Sequence, residues 1–286
     1  MESGHWALER KVIQGLSPSV KLNNGQSIPQ LGLGVYKLGN DVAADFLLGA
    51  FEAGYRRIDT AAFYGNEEAV GEAIRTSSLP REEIFVTTKI WNEDHGSARA
   101  AEAIDESLAR LNIGYLDMLL IHWPKPHLDL YVETWQELEK AVTAGKVHGI
   151  GVSNFQPSHL LRIIESSGIV PALNQVELNP GFQQGELRAF NSDHGIATEA
   201  WSPIARGVFN ENPVIVELAK KHSKSPSQII IRWHLDIENL VIPKTATKSR
   251  LPENISVFDF KLDQEDLDAI ATLDTGIRTG LNPDEF

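Results

Sequence analysis

From Val20 onward, short apolar runs alternate with longer amphipathic ones. The apolar runs at residues 30–35, 57–59, 84–89, 116–122, 147–152, 172–177, 196–200 and 240–242 read as eight buried strands. Between them, residues 98–111 place Ile104, Leu108 and Leu111 at helical spacing. The same rhythm predicts helices over 41–53, 131–144, 158–166, 213–222 and 227–235. Glu67 and Glu68 open a further helix, where acids suit the dipole. Ser97 and Ser158 stand where N-terminal caps belong, and Gly54, Gly145 and Gly168 stand where helices close. Ahead of this series, Asn23-Asn24-Gly25 predicts a tight hairpin, because Asn-Gly accepts positive φ.

Eight strand–helix alternations predict an α/β fold of the (β/α)₈ TIM-barrel type rather than two open sheets. No linker or low-complexity stretch divides residues 18–286, so they read as a single barrel domain. Residues 1–17 match no later rhythm and read as an N-terminal extension.

Several apolar runs end in a residue able to do chemistry. Asp59 and Tyr64 follow the second run, Lys89 ends the third and His122 ends the fourth. On a barrel of parallel strands these ends converge on one mouth. Tyr64, with an ordinary pKa near 10, is a proton donor at neutral pH. A cation beside it would stabilise the phenolate, and Lys89 can supply one. Asp59 can hold the lysine ammonium, and His122 can orient a carbonyl oxygen. The set suits alcohol–carbonyl interconversion with hydride from a cofactor. Taken singly, each residue fits a packing role or, for Asp59–Lys89, a structural ion pair.

Composition narrows the rest. A length of 286 residues and 42% hydrophobic content suit one barrel with a substantial core. The net charge of −13 argues against a general binder of nucleic acid or anionic membrane, while leaving room for a local basic pocket. The chain has no cysteine, which excludes disulfides and thiolate chemistry. No apolar run approaches the roughly 20 residues of a membrane span. The polar start, Met1 to His5, has no signal-peptide core, so a cytoplasmic location is expected. His122 and His127 are separated across Pro124 and Pro126, and no metal is expected.

With these features in place, the chain resembles the aldo-keto reductases from about Val20 to the C-terminus. The resemblance rests on Gly54-Tyr55-Arg56-Arg57-Ile58-Asp59-Thr60-Ala61, Tyr64-Gly65-Asn66-Glu67, Lys89-Ile90-Trp91 and Asp117 through Pro124. It continues in Gly149-Ile150-Gly151-Val152-Ser153-Asn154-Phe155, Asn174-Gln175-Val176-Glu177 and Ile242-Pro243-Lys244-Thr245. Within the family, Glu199 to Pro203, Val257 to Phe260 and the short tail are most similar to the bacterial 2,5-diketo-D-gluconate reductase branch.

The resemblance implies a hairpin closing the barrel bottom and a C-terminal tail over the cleft. It implies a catalytic tetrad of Asp59, Tyr64, Lys89 and His122, with Tyr64 as general acid. It also implies NADPH or NADP⁺, in preference to NADH, bound without a dinucleotide fingerprint. None is present, since Gly32-Leu33-Gly34 and Gly149-Ile150-Gly151 lack the third glycine. By motif position Ser153, Asn154 and Gln175 hold the nicotinamide carboxamide, and Trp201 lies against its ring. Ser202, Pro203 and Ile204 follow along the pyrophosphate. Lys244, Thr245 and Arg250 meet a 2′-phosphate, with Glu253 and Asn254 at the adenine; read alone, that segment is a solvated helix start with scattered bases.

Tyr36, Phe63, Trp91 and Trp123 are the candidate substrate walls, although core packing explains any one of them. Arg278, in the glycine-rich tail, is open to two readings: a partner for a substrate carboxylate or polyol, or a surface arginine. The expectation is NADPH-dependent reduction of aldehydes, ketones, dicarbonyls or keto sugars by a monomer. Its partner would be a small-molecule carbonyl, with neither nucleic acid nor membrane. A catalytically silent NADPH-binding barrel and a Schiff-base lyase using Lys89 are the rivals.

Overall fold

The computed structural model describes residues 17–286, so the expected extension lies outside the described residues except for Ser17. The hairpin strands β1 (Ser19–Lys21) and β2 (Ser27–Pro29) pair antiparallel, with Val20 opposite Ile28. Only Gly25 of the Asn-Gly pair takes positive φ, at 81°. Leu22 and Ile28 pack on Phe85, Met118, Leu120, Leu173 and Leu240. The Asn23 and Gln26 amides donate to the carbonyls of Pro171 and Asp117, at 2.9 and 3.1 Å. Both carbonyls precede barrel strands, so the hairpin closes the N-terminal end.

The eight barrel strands are parallel and neighbour one another in chain order. They are β3 (Leu33–Gly34), β4 (Arg57–Asp59), β5 (Phe85–Ile90), β6 (Met118–Ile121), β7 (Ile150–Ser153), β8 (Leu173–Glu177), β9 (Ala197–Trp201) and β10 (Leu240–Val241). The ring closes where Leu31 bridges Val241, with Gly32 N–H donating to the Val241 carbonyl at 2.8 Å. Around the strands run α1 (Asn40–Glu52), α2 (Glu67–Thr76), α3 (Ser97–Leu111), α4 (Tyr131–Thr143) and α5 (Pro157–Ser167). These are followed by α6 (Gly185–Asp193), α7 (Pro213–His222), α8 (Pro226–Asp236), α9 (Arg250–Ile255) and α10 (Gln264–Ala271). The main core fills the layer between sheet and helices.

Several elements differ from their expected bounds for identifiable reasons. The run 116–122 shortens to Met118–Ile121 because the Asp117 carboxylate accepts from the Val86 N–H and from Arg81 instead of continuing the ladder. Neither expected serine cap is one. Gly96 precedes α3, and the Ser97 hydroxyl donates to Glu137. Pro157 occupies the first turn of α5 and shifts the cap to Gln156, which forms a reciprocal pair with His159.

Helix α2 meets the end of α3 at Gly71, where a β-carbon would lie 1.9 Å from the Leu111 carbonyl oxygen. A main-chain atom cannot swing aside. Gly71→Ala should therefore cost about 1–3 kcal/mol of stability. A lowered urea midpoint checks this, and an unchanged one would mean the two helices separate freely.

Candidate active site

Parallel strands deliver their C-terminal ends to a single rim. Asp59 ends β4, Lys89 stands one residue before the end of β5 and His122 follows β6. Tyr64 ends a 3₁₀ turn, Ala62–Tyr64, which Gly65 closes in the left-handed conformation at φ 65°. Buried Asn66 anchors that turn. Its amide donates to the carbonyls of Val35 and Leu38 at 3.0 Å each, and its oxygen accepts from the Thr60 hydroxyl at 2.7 Å.

Asp59 and Tyr64 meet at the Lys89 ammonium, and His122 lies edge-on to Tyr64 with ring centres 5.8 Å apart. Lys89 Nζ, fully buried, donates to Asp59 Oδ1 at 2.6 Å, to the Thr60 carbonyl at 2.8 Å and to the Tyr64 hydroxyl at 3.5 Å. An ammonium only donates, so the Tyr64 oxygen is the acceptor there and its own proton is free for another partner. Burial opposes the charge on Lys89, but attraction from Asp59, Tyr64 and Glu199 outweighs it and raises its pKa. For Tyr64 the balance falls the other way. Burial pushes the phenol up to about 12, against the pull of Lys89. Burial, reinforced by Lys89 and His95, lowers His122 well below the usual imidazole range. At neutral pH the site therefore presents a protonated phenol and a neutral imidazole.

Asp59, Tyr64 and His122 line a cavity of ≈ 1080 Å³, with Lys89 beneath its floor. Its aromatic lining includes Tyr36, Phe63, Trp91 and Trp123: Phe63 stacks on Trp91 at 3.9 Å, and Tyr36 lies 4.9 Å from Tyr64. Ser153, Asn154, Gln175 and Trp201 continue the wall as one hydrogen-bonded group. Asn154, left-handed at φ 65°, turns its side chain back to donate to the His122 carbonyl at 3.0 Å and to accept from Trp201 Nε1 at 2.8 Å. Gln175 Nε2 donates to Asp59 Oδ2 at 2.8 Å. The same cavity runs past Ser202, Pro203 and Ile204 to Lys244, Thr245 and Arg250.

Glu253 and Asn254 lie on α9 outside this lining, the first exposed and the second buried. Arg278 also stays out, its guanidinium over the Phe182 ring at 4.7 Å. Conversely, Lys37, Arg206, Asn210, Ser227 and the tail residues Thr279, Gly280, Leu281 and Phe286 join the wall unannounced. Apart from Ser227, in the first turn of α8, they stand on loops and short turns without periodicity, and a lone cation such as Arg206 carries no spacing signal.

The sequence matches the model of the aldo/keto reductase family over residues 30–275. The chain belongs to that family. It is 49% identical over 270 residues to the methylglyoxal reductase DkgA of Escherichia coli K12, covering 93% of this chain and 97% of the relative. A crystal structure of an aldo/keto reductase from Brucella melitensis superposes with a TM-score of 0.89 at 51% identity, covering 91% of this chain and 99% of that one. A Gox0644 variant solved in complex with NADPH gives a TM-score of 0.90 at 42% identity, covering 94% and 98%.

Proposed function

We propose that this aldo/keto reductase reduces small aldehydes, dicarbonyls or related ketones with NADPH, using Tyr64 as the proton donor. The observation that carries the proposal is the buried Lys89 ammonium, held by Asp59 and touching the Tyr64 hydroxyl beside neutral His122. The relatives support the chemistry: one is named a methylglyoxal reductase, and one was solved with NADPH.

The donor set fits the cofactor. The Ser153 hydroxyl and the Asn154 and Gln175 amides match the hydrogen-bonding capacity of a carboxamide. At the other end, Arg206, Lys244 and Arg250 have no ion-pair partner among the described residues, whereas nearby Lys248 pairs with Asp45. Cations without ion-pair partners gathered at that end of the cleft, on a chain of net charge −13, suit a polyphosphate. When bound, the nicotinamide supplies the hydride.

His122 donates to the carbonyl oxygen and sets its angle toward Tyr64. Tyr64 transfers its proton to that oxygen as negative charge develops there. Lys89 stabilises the phenolate left behind, and Asp59 fixes Lys89 in place. Reprotonation of Tyr64 from solvent restores the site. The catalytically silent reading gains no support from a site with all four groups in contact. The Schiff-base reading is disfavoured because the raised pKa of Lys89 leaves little free amine.

Arg250→Met tests the cofactor end. Losing a charge-assisted contact of about 1.5–3 kcal/mol should lower kcat/KM for NADPH roughly 10- to 100-fold. The value for NADH should stay within about threefold, since it has no 2′-phosphate to lose. Steady-state kinetics with both cofactors decide it. Equal losses would remove Arg250 from phosphate recognition.

A further inference from the structure

Glu177 ends β8 two residues beyond Gln175 and is fully buried, yet it takes no part in the network around Lys89. Its carboxylate is spent on the C-terminal tail. Oε1 accepts from the Thr279 backbone N–H at 3.0 Å and also from the Thr279 hydroxyl. Oε2 accepts from the Gly280 N–H at 2.9 Å. The partners lie 102 and 103 residues further along the chain.

The latch has a second half. A β-carbon on Gly280 would lie 2.6 Å from Trp201 Cη2 and 3.0 Å from Glu177 Oε2, so the tail backbone rests directly on the indole. Two further contacts flank it. The Thr275 N–H and hydroxyl donate to the Gly181 carbonyl at 3.0 and 2.9 Å. The Phe286 ring meets Trp123 at 4.8 Å, with Lys125 Nζ 4.2 Å from its centre.

Beyond the latch, Leu281 and Phe286 line the same cavity as Tyr36 and Phe63. Leu281 is 51% exposed and Phe63 50%, so the cavity lining keeps open apolar surface on the tail as well as on the barrel. A bulky apolar carbonyl substrate gains more from covering that surface than a three-carbon dicarbonyl does.

We propose that Glu177 is a specificity-determining positioning residue: it clamps the tail onto Trp201 so that Leu281 and Phe286 form the far wall for large carbonyl substrates. This inference rests on the reductase reading above. It adds the residue that sets the tail in place, a carboxylate outside the cavity lining.

Glu177→Gln keeps the volume but offers one acceptor oxygen and an NH₂ to three donors, so at least one donor faces another. Gly280→Ala leaves the carboxylate intact and instead lifts the backbone off the indole. Both variants should lower the ratio of kcat/KM for 2-naphthaldehyde to that for methylglyoxal by about tenfold, mainly through KM for the larger aldehyde. Hydrogen exchange at the amides of Thr279 and Gly280 should accelerate in Glu177→Gln.

An unchanged ratio with faster exchange would overturn the specificity role. Unchanged exchange would overturn the latch itself. The same loss on both aldehydes would mark Glu177 as merely structural. Absence of wild-type turnover on either aldehyde would sink the reductase reading instead, while exchange would still decide the latch.

Discussion

Tyr64→Phe should lower kcat for carbonyl reduction by about 10²- to 10⁴-fold, the range for losing a positioned general acid. NADPH affinity should stay within about twofold, because the change removes only the phenol hydroxyl, which meets Lys89, and leaves Ser153, Asn154, Gln175, Lys244 and Arg250 in place. With a pKa near 12, the wild-type phenol stays protonated across the neutral range. Falling kcat as pH rises through neutrality should therefore not come from Tyr64. Stopped-flow turnover with fluorescence titration of NADPH separates the two effects. Retained turnover in the Phe variant would require another proton donor.

Lys89→Met should be the most damaging single change to the fold at this site. It leaves the Asp59 carboxylate buried, 1% exposed, with only the Gln175 amide as a side-chain partner among the described residues. Breaking a buried pair from one side costs about 3–5 kcal/mol. Urea unfolding should show that loss, and turnover should fall with it. Changing Asp59 as well, in Asp59→Leu/Lys89→Met, should recover much of the stability and none of the activity. Recovery of both would mean the pair is structural alone. A single variant with wild-type stability would mean the pair contributes nothing net.

The parts of this site legible in the sequence were those written locally. Asp59, Lys89 and His122 each close an apolar run, and parallel strands bring such ends together without further information. Tyr64 needed more: its position depends on Gly65 taking a left-handed turn and on Asn66 reaching back to Val35 and Leu38. Spacing announces neither contact. The net shift of Tyr64 was also hidden. The attraction of Lys89 is present, but burial outweighs it, and burial is a property of the assembled mouth. The misplaced caps at Ser97 and Ser158 show the same limit. Each serine type suits a cap, yet Glu137 and Pro157 decide the matter. Glu177 is the extreme case, since its partners lie in a tail with no periodicity to predict where it folds back.

The most direct measurement follows a label. NADPH carrying deuterium at both C4 positions would be turned over with methylglyoxal or an aryl aldehyde, and the product alcohol examined by NMR. Direct hydride transfer predicts one deuterium on the former carbonyl carbon for each NADPH oxidised, with the hydroxyl proton drawn from the solvent pool. NADPH oxidation that leaves no deuterium on that carbon would contradict the account, and so would a saturating complex that oxidises no NADPH.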